Sequence, residues 1–281
     1  MMPIKHVASA GDRDVRRRRN TGVATLGRVP FTLSHPAAVL PLRRLGLPVT
    51  VLVIASMVPD VPVFMGWNQG YDFTHSPLGV LTADLVVTSV VVAWWTFVMR
   101  DALVDLGPAR VRSRLPASAR LTRREWLLLP AAAVVGATTH VVWDAFTHPG
   151  RWGWQHFEWL RSDHGGLSGV SWAQYVSGVV GLAVVVAAAV AHLRGVPPVQ
   201  DGRRPRVLPA ATLPVIVAIA GLTAVAAAAW SLPDGLHLMA FNAVVDSMIV
   251  LGALLVIVTV AWQVAARRAG MPGAPSELND A

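Results

Sequence analysis

The stretch Thr-His-Val-Val-Trp-Asp-Ala-Phe-Thr-His-Pro-Gly places His140, Asp144 and His148 at successive intervals of four residues. Four residues advance an α-helix by about 400°, so these side chains drift only about 40° per step and keep to one face. Imidazole and carboxylate groups at that spacing suit metal ligation or acid–base work. His140 and Asp144 lie about 6 Å apart along the axis and can chelate one ion, as the two histidines of an H-E-x-x-H helix do. On an unbroken helix His148 would be about 12 Å from His140, too far to share an ion at bond lengths of about 2 Å. Pro149 follows it, and a residue before proline is pushed out of the helical region. The chain is therefore expected to break at Thr147 or His148, freeing that imidazole to fold back or to serve a second ion.

The elements that position these groups belong to a membrane. The 281 residues are 54% hydrophobic and 14% charged, with no cysteine, whereas a soluble domain carries about 25% charged residues. The absence of cysteine removes disulfides, thiolate sites and cysteine nucleophiles together, so a metal would rest on nitrogen and oxygen. A transmembrane helix needs about 20 mainly apolar residues. Five segments meet that: Pro77 to Met99, Trp126 to Phe146, Val170 to Leu193, Leu208 to Leu232 and Met239 to Ala266. A sixth, Val49 to Met65, is shorter and contains Pro59 and Pro62, so it is expected to kink near its end. Phe31 to Leu42 is too short to span and reads as a half-helix. The fold class is all-α: a polytopic bundle of about six transmembrane helices plus that half-helix.

Arginine sets the orientation, since positively charged loops stay cytoplasmic. Seven arginines fall between Arg100 and Arg124, with Arg194, Arg203, Arg204 and Arg206, Arg267 and Arg268, and Arg43 and Arg44 on the same side. The loops of the opposite side hold only Arg151 and Arg161. This distribution makes the +8 charge a topology signal, excludes a nucleic-acid partner, and puts the C-terminus in the cytoplasm. Trp67, Trp152, Trp154, Trp159, Trp172 and Trp230 lie near the outer boundary, as an aromatic belt does.

Ionisable groups inside spans are costly and point to function. Asp60, His75, His140, Asp144, His148 and Asp246 all lie toward the outer face. Taken singly, each is best read as a helix cap or a bundle hydrogen bond; as a set they read as a metal or catalytic polar centre. Asp84 lies deeper and is expected to pair within the bundle. Asn242 and Asp246 share a face of the last span and could supply a second shell or a partner for His237. Glu158, His156, Asp163 and His164 belong to the outer loop, where Glu158 could approach a substrate.

Pro-Phe-Thr-Leu-Ser-His-Pro at 30 to 36, Ser-Met-Val-Pro-Asp at 56 to 60, Thr-His-Ser at 74 to 76 and His-Val-Val-Trp-Asp-Ala-Phe-Thr-His at 140 to 148 together resemble a bacterial membrane family built on a domain of unknown function. That family is more distantly similar to membrane-bound metal-dependent hydrolases. The resemblance covers Val29 to about Leu193, and the last two spans by length and hydropathy. It implies that His35, Asp60, His75, His140 and Asp144 form the polar centre. Two positions depart from the hydrolase-like pattern: Pro62 stands where a second carboxylate is usual, and Tyr-Asp-Phe precedes Thr74 in place of His-Arg-Gly. Members begin Met-Pro-Phe-Thr, and here Val29 holds the Met position. Residues 1–28, a basic tail contributing +5 of the net charge, are thus expected to be an over-extended start that composition makes disordered.

The divisions expected are the tail 1–28, a motif-bearing bundle 29–193, a cytoplasmic loop 194–207, a helical pair 208–266 and a tail 267–281. The function expected is a membrane-embedded hydrolase of an amphiphilic phosphoester. It would use a divalent ion, zinc, held by a subset of His35, Asp60, His75, His140, Asp144 and His148, with Asp60 or Asp144 as proton acceptor. The lipid bilayer is its surroundings and a lipid-like molecule its substrate. The alternative is a non-enzymatic membrane protein whose His/Asp cluster is structural or relays ions or protons.

Overall fold

Pro77 starts the first long helix because a proline at this position loses no hydrogen bond, and Ser76 caps it by accepting from Gly79 N at 3.0 Å. The structure, a computed structural model, describes residues 32–198 and 205–270. The expected tail 1–28 and its start lie outside them. The described residues open with a 3-10 turn, Thr32–Ser34, then α1 (Pro36–Val39) and a further 3-10 turn, Leu40–Leu45: the expected half-helix. Next comes α2 (Val49–Ala55), which breaks at Ser56 into a 3-10 turn, Val58–Asp60, and a helical turn, Val61–Phe64. Pro59 and Pro62 are the second residues of those turns, the kink that the prolines foretell. Then follow α3 (Asn68–Thr74), α4 (Pro77–Leu106), α5 (Arg123–Thr147), α6 (Gly169–Gly195), α7 (Thr212–Ser231) and α8 (Leu236–Arg268).

Helices α4 to α8 are each long and apolar enough to cross a membrane, and Val49–Phe64 is a shorter apolar segment. The molecule is an all-α polytopic bundle, and no strand occurs among the described residues. The last helix runs through Arg267 and Arg268, and residues 271–281 of the expected C-terminal tail lie outside the described residues.

Helix α5 is the axis of the site. Thr122 and Glu125 form a reciprocal capping box at its start: Thr122 Oγ1 accepts from Glu125 N at 3.2 Å and Glu125 Oε2 accepts from Thr122 N at 2.8 Å. One stripe of α5 is small, and there α2 comes close. A Cβ added to Gly136 would lie 2.6 Å from Ala55 Cβ and 2.8 Å from the Leu52 carbonyl oxygen. Such contacts replace the hydrophobic effect as glue between helices in lipid. Val51, Leu52 and Ala55 of α2, Val92 of α4 and Leu129, Ala132 and Ala133 of α5 form the main core. Helix α6 meets the opening turn at Gly181, where a Cβ would be 2.8 Å from Ser34 Cβ. Through these two glycine contacts the opening turn and the broken α2 segment are pressed against α5 and α6, which carries Thr32, His35 and Asp60 to the His/Asp end of α5.

The arginines gather at the other end. Asp105 Oδ1 accepts from Arg112 at 3.1 Å, and Oδ2 accepts from Val207 N at 3.0 Å and from Trp262 Nε1 at 2.9 Å. Arg206 donates to the carbonyl oxygens of Asp105 and Gly107 at 2.6 and 2.9 Å. This clamp joins α4 to α8 and to the segment leading into α7.

Candidate metal centre

His140 Nδ1 lies 2.8 Å from the carbonyl oxygen of Ser56. A carbonyl can only accept, so Nδ1 carries the proton and Nε2 presents its lone pair. The break in α2 exposes that carbonyl: Ser56 follows the last α-helical residue before the Val58–Asp60 turn. His75 is fixed in the same way, with Nδ1 2.8 Å from the Tyr71 carbonyl oxygen one turn earlier on α3. Both Nε2 atoms turn inward onto carboxylates. His140 Nε2 is 3.4 Å from Asp60 Oδ1 and 3.4 Å from Asp144 Oδ2, and His75 Nε2 is 3.2 Å from Asp144 Oδ2.

A lone pair facing a carboxylate at these distances needs positive charge between them, either a proton on the ring or a shared cation. One donor atom from each of Asp60, His75, His140 and Asp144 lies within 4.8 Å of all the others. The close edges of 3.2, 3.4 and 3.4 Å match the roughly 3.3 Å edge of a tetrahedron with metal–ligand bonds of about 2.0 Å. The four residues therefore fit a divalent ion. His140 Nε2 is buried and makes no hydrogen bond, as a ligand nitrogen awaiting a cation would.

The surrounding groups hold the two carboxylates. Thr32 donates its hydroxyl to Asp60 Oδ2 at 2.5 Å. Asp144 uses both oxygens: Oδ2 faces the two histidines and accepts from the Tyr71 hydroxyl at 3.4 Å, while Oδ1 faces His35 Nε2 at 3.1 Å and His148 Nδ1 at 3.3 Å. His35 stacks on His140 with ring centroids 3.9 Å apart, and its Nδ1 is buried without a partner. His148 takes an extended backbone at the end of α5, with φ −124° and ψ 134°, as its place before proline requires. Its ring folds back onto Asp144, and its Nε2 meets Gln174 Nε2 of α6 at 3.4 Å. Nδ1 of His148 thus faces Asp144 and Nε2 faces Gln174. His35 and His148 thus flank the outer oxygen of Asp144 and stand outside the four-donor set.

All six residues are buried, none more than 8% exposed. His75 lies outside the spans, and burial holds its imidazole below the ordinary 6.5 against the opposing pull of Asp144. Burial, reinforced by Asp144 and Asp60, pushes the Tyr71 hydroxyl well above its ordinary range. Both shifts favour the neutral form, which leaves His75 a ring nitrogen with a lone pair and Tyr71 a hydroxyl to donate.

Other polar residues stay apart from the centre. Asp84 is fully buried on α4, in the π-helical turn Val80–Asp84, and neither of its oxygens has a hydrogen-bond partner; nor does the hydroxyl of Thr88 one turn on. The expected pairing of Asp84 is not made. Asn242 donates to Ser231 Oγ at 2.7 Å inside the α7/α8 hairpin, and Asp246 is outside the four-donor group. His156 and His164 bond to the Trp152 and Trp159 carbonyls on the exposed loop. Thr32, Ser56, Tyr71 and Gln174 were not singled out by residue type, although Tyr71 stands one helical turn before His75 and Ser56 opens the motif that ends in Asp60.

Residues 29–264 match the family described as Domain of unknown function (DUF4184). The chain belongs to that family. The match takes in every residue of the centre and extends beyond the motif-bearing bundle to the last helical pair. No curated protein and no solved structure matches the chain.

Proposed function

We propose that the protein is a membrane-embedded, metal-dependent hydrolase of an amphiphilic phosphoester. The observation that carries this reading is the convergence of two tautomer-fixed histidines and two aspartates on one buried point. With only nitrogen and oxygen donors available, zinc is the ion this set suits best. His75, His140 and Asp144 Oδ2 would hold it. A divalent ion there supplies Lewis acidity and a water that ionises near pH 7. Asp60 is the proton acceptor: Thr32 occupies Oδ2, so Oδ1 is the oxygen turned toward the centre. His35 and His148 hold Asp144 from its far side, and the Ser56 and Tyr71 carbonyls keep both ligand rings in the required tautomer. The positive-inside distribution supports a bacterial inner-membrane location with the C-terminus cytoplasmic and the centre near the extracytoplasmic face.

The closure of the site favours a second reading. Four protein donors on one ion, all buried, resemble a structural site more than an open catalytic one, and such a centre would hold the bundle together or pass protons. Hydrolysis decides between them. Purified protein, stripped with a chelator and then reloaded with zinc, should release phosphate from phosphatidic acid or phosphatidylglycerophosphate. Asp60→Asn should lose that activity while retaining metal. If metal returns thermal stability but no phosphoester is cleaved, the structural reading stands in its place.

A further inference from the structure

An apolar cleft of about 440 Å³ adjoins the centre, lined by Ala38 of α1 and by Thr138, Val142, Trp143, Phe146 and Thr147 of α5. That volume suits a small-molecule site. Its outer wall lies on a helix apolar enough to cross a membrane, with Val142 55% and Phe146 38% exposed. Its inner wall is Thr147, whose hydroxyl is 3.4 Å from Asp144 Oδ1 and 3.2 Å from His148 Nδ1. Trp143 closes another side, its ring 6.2 Å from that of His35. One buried threonine thus separates a lipid-facing groove from the carboxylate at the hub of the centre.

Charge lies on the other side of that carboxylate. The Tyr71 hydroxyl touches Asp144 Oδ2, and the Arg151 guanidinium stands 5.2 Å over the Tyr71 ring. Of the two arginines at this end of the bundle, Arg161 is occupied by the Trp154 and Gln155 carbonyl oxygens at 2.9 and 2.6 Å. Arg151 pairs with Asp72 at 3.4 Å, a carboxylate 79% exposed. A pair of that kind is weak in water and is readily exchanged for another anion.

We propose that the site takes an anionic phospholipid, one acyl chain lying in the α1/α5 cleft and the phosphate reaching the Arg151 side of the centre. This rests on the phosphoesterase reading for what happens next, though binding itself needs no turnover. The apolar groove selects a hydrocarbon chain, and Arg151, the guanidinium at this rim held by a single exposed carboxylate, selects a negative headgroup over a zwitterionic one.

The test is photolabelling of the full chain in nanodiscs with trace phosphatidylglycerol bearing a terminal diazirine on one acyl chain. Adducts are mapped by mass spectrometry. They are expected to concentrate on residues 138–147, to be competed by unlabelled phosphatidylglycerol, and to be lost in both Ala38→Trp and Val142→Trp, which fill the cleft, while adducts on α7 persist. Arg151→Gln should reduce the competition by phosphatidylglycerol about tenfold, the weight of one charge-assisted hydrogen bond. Adducts on 138–147 no denser than on α7, adducts indifferent to both tryptophans, or equal labelling by a phosphatidylcholine probe would each overturn the proposal. A labelled cleft in a protein that cleaves nothing defeats the hydrolase reading alone. Metal-dependent cleavage without cleft adducts defeats this inference alone.

Discussion

His140 Nδ1 and the Ser56 carbonyl oxygen are 2.8 Å apart, and this contact decides which nitrogen faces Asp60 and Asp144. A helix that ran on through Ser56 would have used that carbonyl in its own ladder. The break before Val58–Asp60 releases it, and the same break turns Asp60 toward α5. One interruption of α2 thus supplies both a carboxylate and the group that orients its histidine neighbour.

Thr32 tests the role of Asp60. Its hydroxyl donates to Asp60 Oδ2 at 2.5 Å, with both residues buried. Thr32→Val keeps the shape and removes the donor, and with metal retained should lower phosphate release about 10- to 100-fold, as loss of an outer-shell partner does. Thr32→Ser should retain most of it. Phosphate release from phosphatidic acid by the zinc-loaded protein measures both, and wild-type activity in the valine variant would contradict the assignment of Asp60.

His75 gives the centre a pH dependence of known sign. Burial holds its pKa below 6.5, so the unfolded chain takes up a proton that the native chain refuses. The stability tied to His75 is therefore present above the unfolded pKa and declines as pH falls through the window just below 6.5. In chelator, the difference in unfolding midpoint between wild type and His75→Gln should narrow as pH is lowered from about 7.5 to about 5.5. A gap constant over that range would contradict a neutral His75.

Gly136 sets the spacing of α2 and α5. Any side chain there meets Ala55 Cβ and the Leu52 carbonyl, so Gly136→Val should cost about 1–3 kcal/mol through overpacking and weaken metal binding by moving Ser56 away from His140. Gly252→Ala, where nothing lies within 4 Å of an added Cβ, is the control and should leave the thermal midpoint in detergent unchanged or raised.

Asp105 separates stability from the site. It is 5% exposed and is the acceptor shared by Arg112, Val207 N and Trp262. Asp105→Ala should cost about 3–5 kcal/mol, the usual loss on breaking a buried ion pair, seen as a lowered unfolding midpoint. Metal stoichiometry should be unchanged, because the clamp lies at the arginine-rich end of the bundle.

The helices and the break at His148 were legible because hydropathy, proline and the four-residue spacing act locally. Asp60, His75, His140 and Asp144 were legible because ionisable groups in apolar segments are few. Which of the histidines join the four-donor group was not, since it depends on how the ring nitrogens turn: His148 shares the spacing of His140, yet its nitrogens face Asp144 Oδ1 and Gln174. Thr32, Ser56 and Gln174 are common residue types whose role arises only when the opening turn, α2 and α6 close around α5. Asp105 reads as one more charge in an arginine-rich loop until Trp262, 157 residues on, is packed against it.

Metal content tests the central claim most directly. Full-length protein purified without chelator and analysed by plasma mass spectrometry should hold about one zinc per chain, the stoichiometry of one four-donor site. His140→Ala should lose it, whereas His148→Ala, with its ring outside the donor set, should keep most of it. Wild-type protein without metal, or metal retained equally in His140→Ala, would contradict the account.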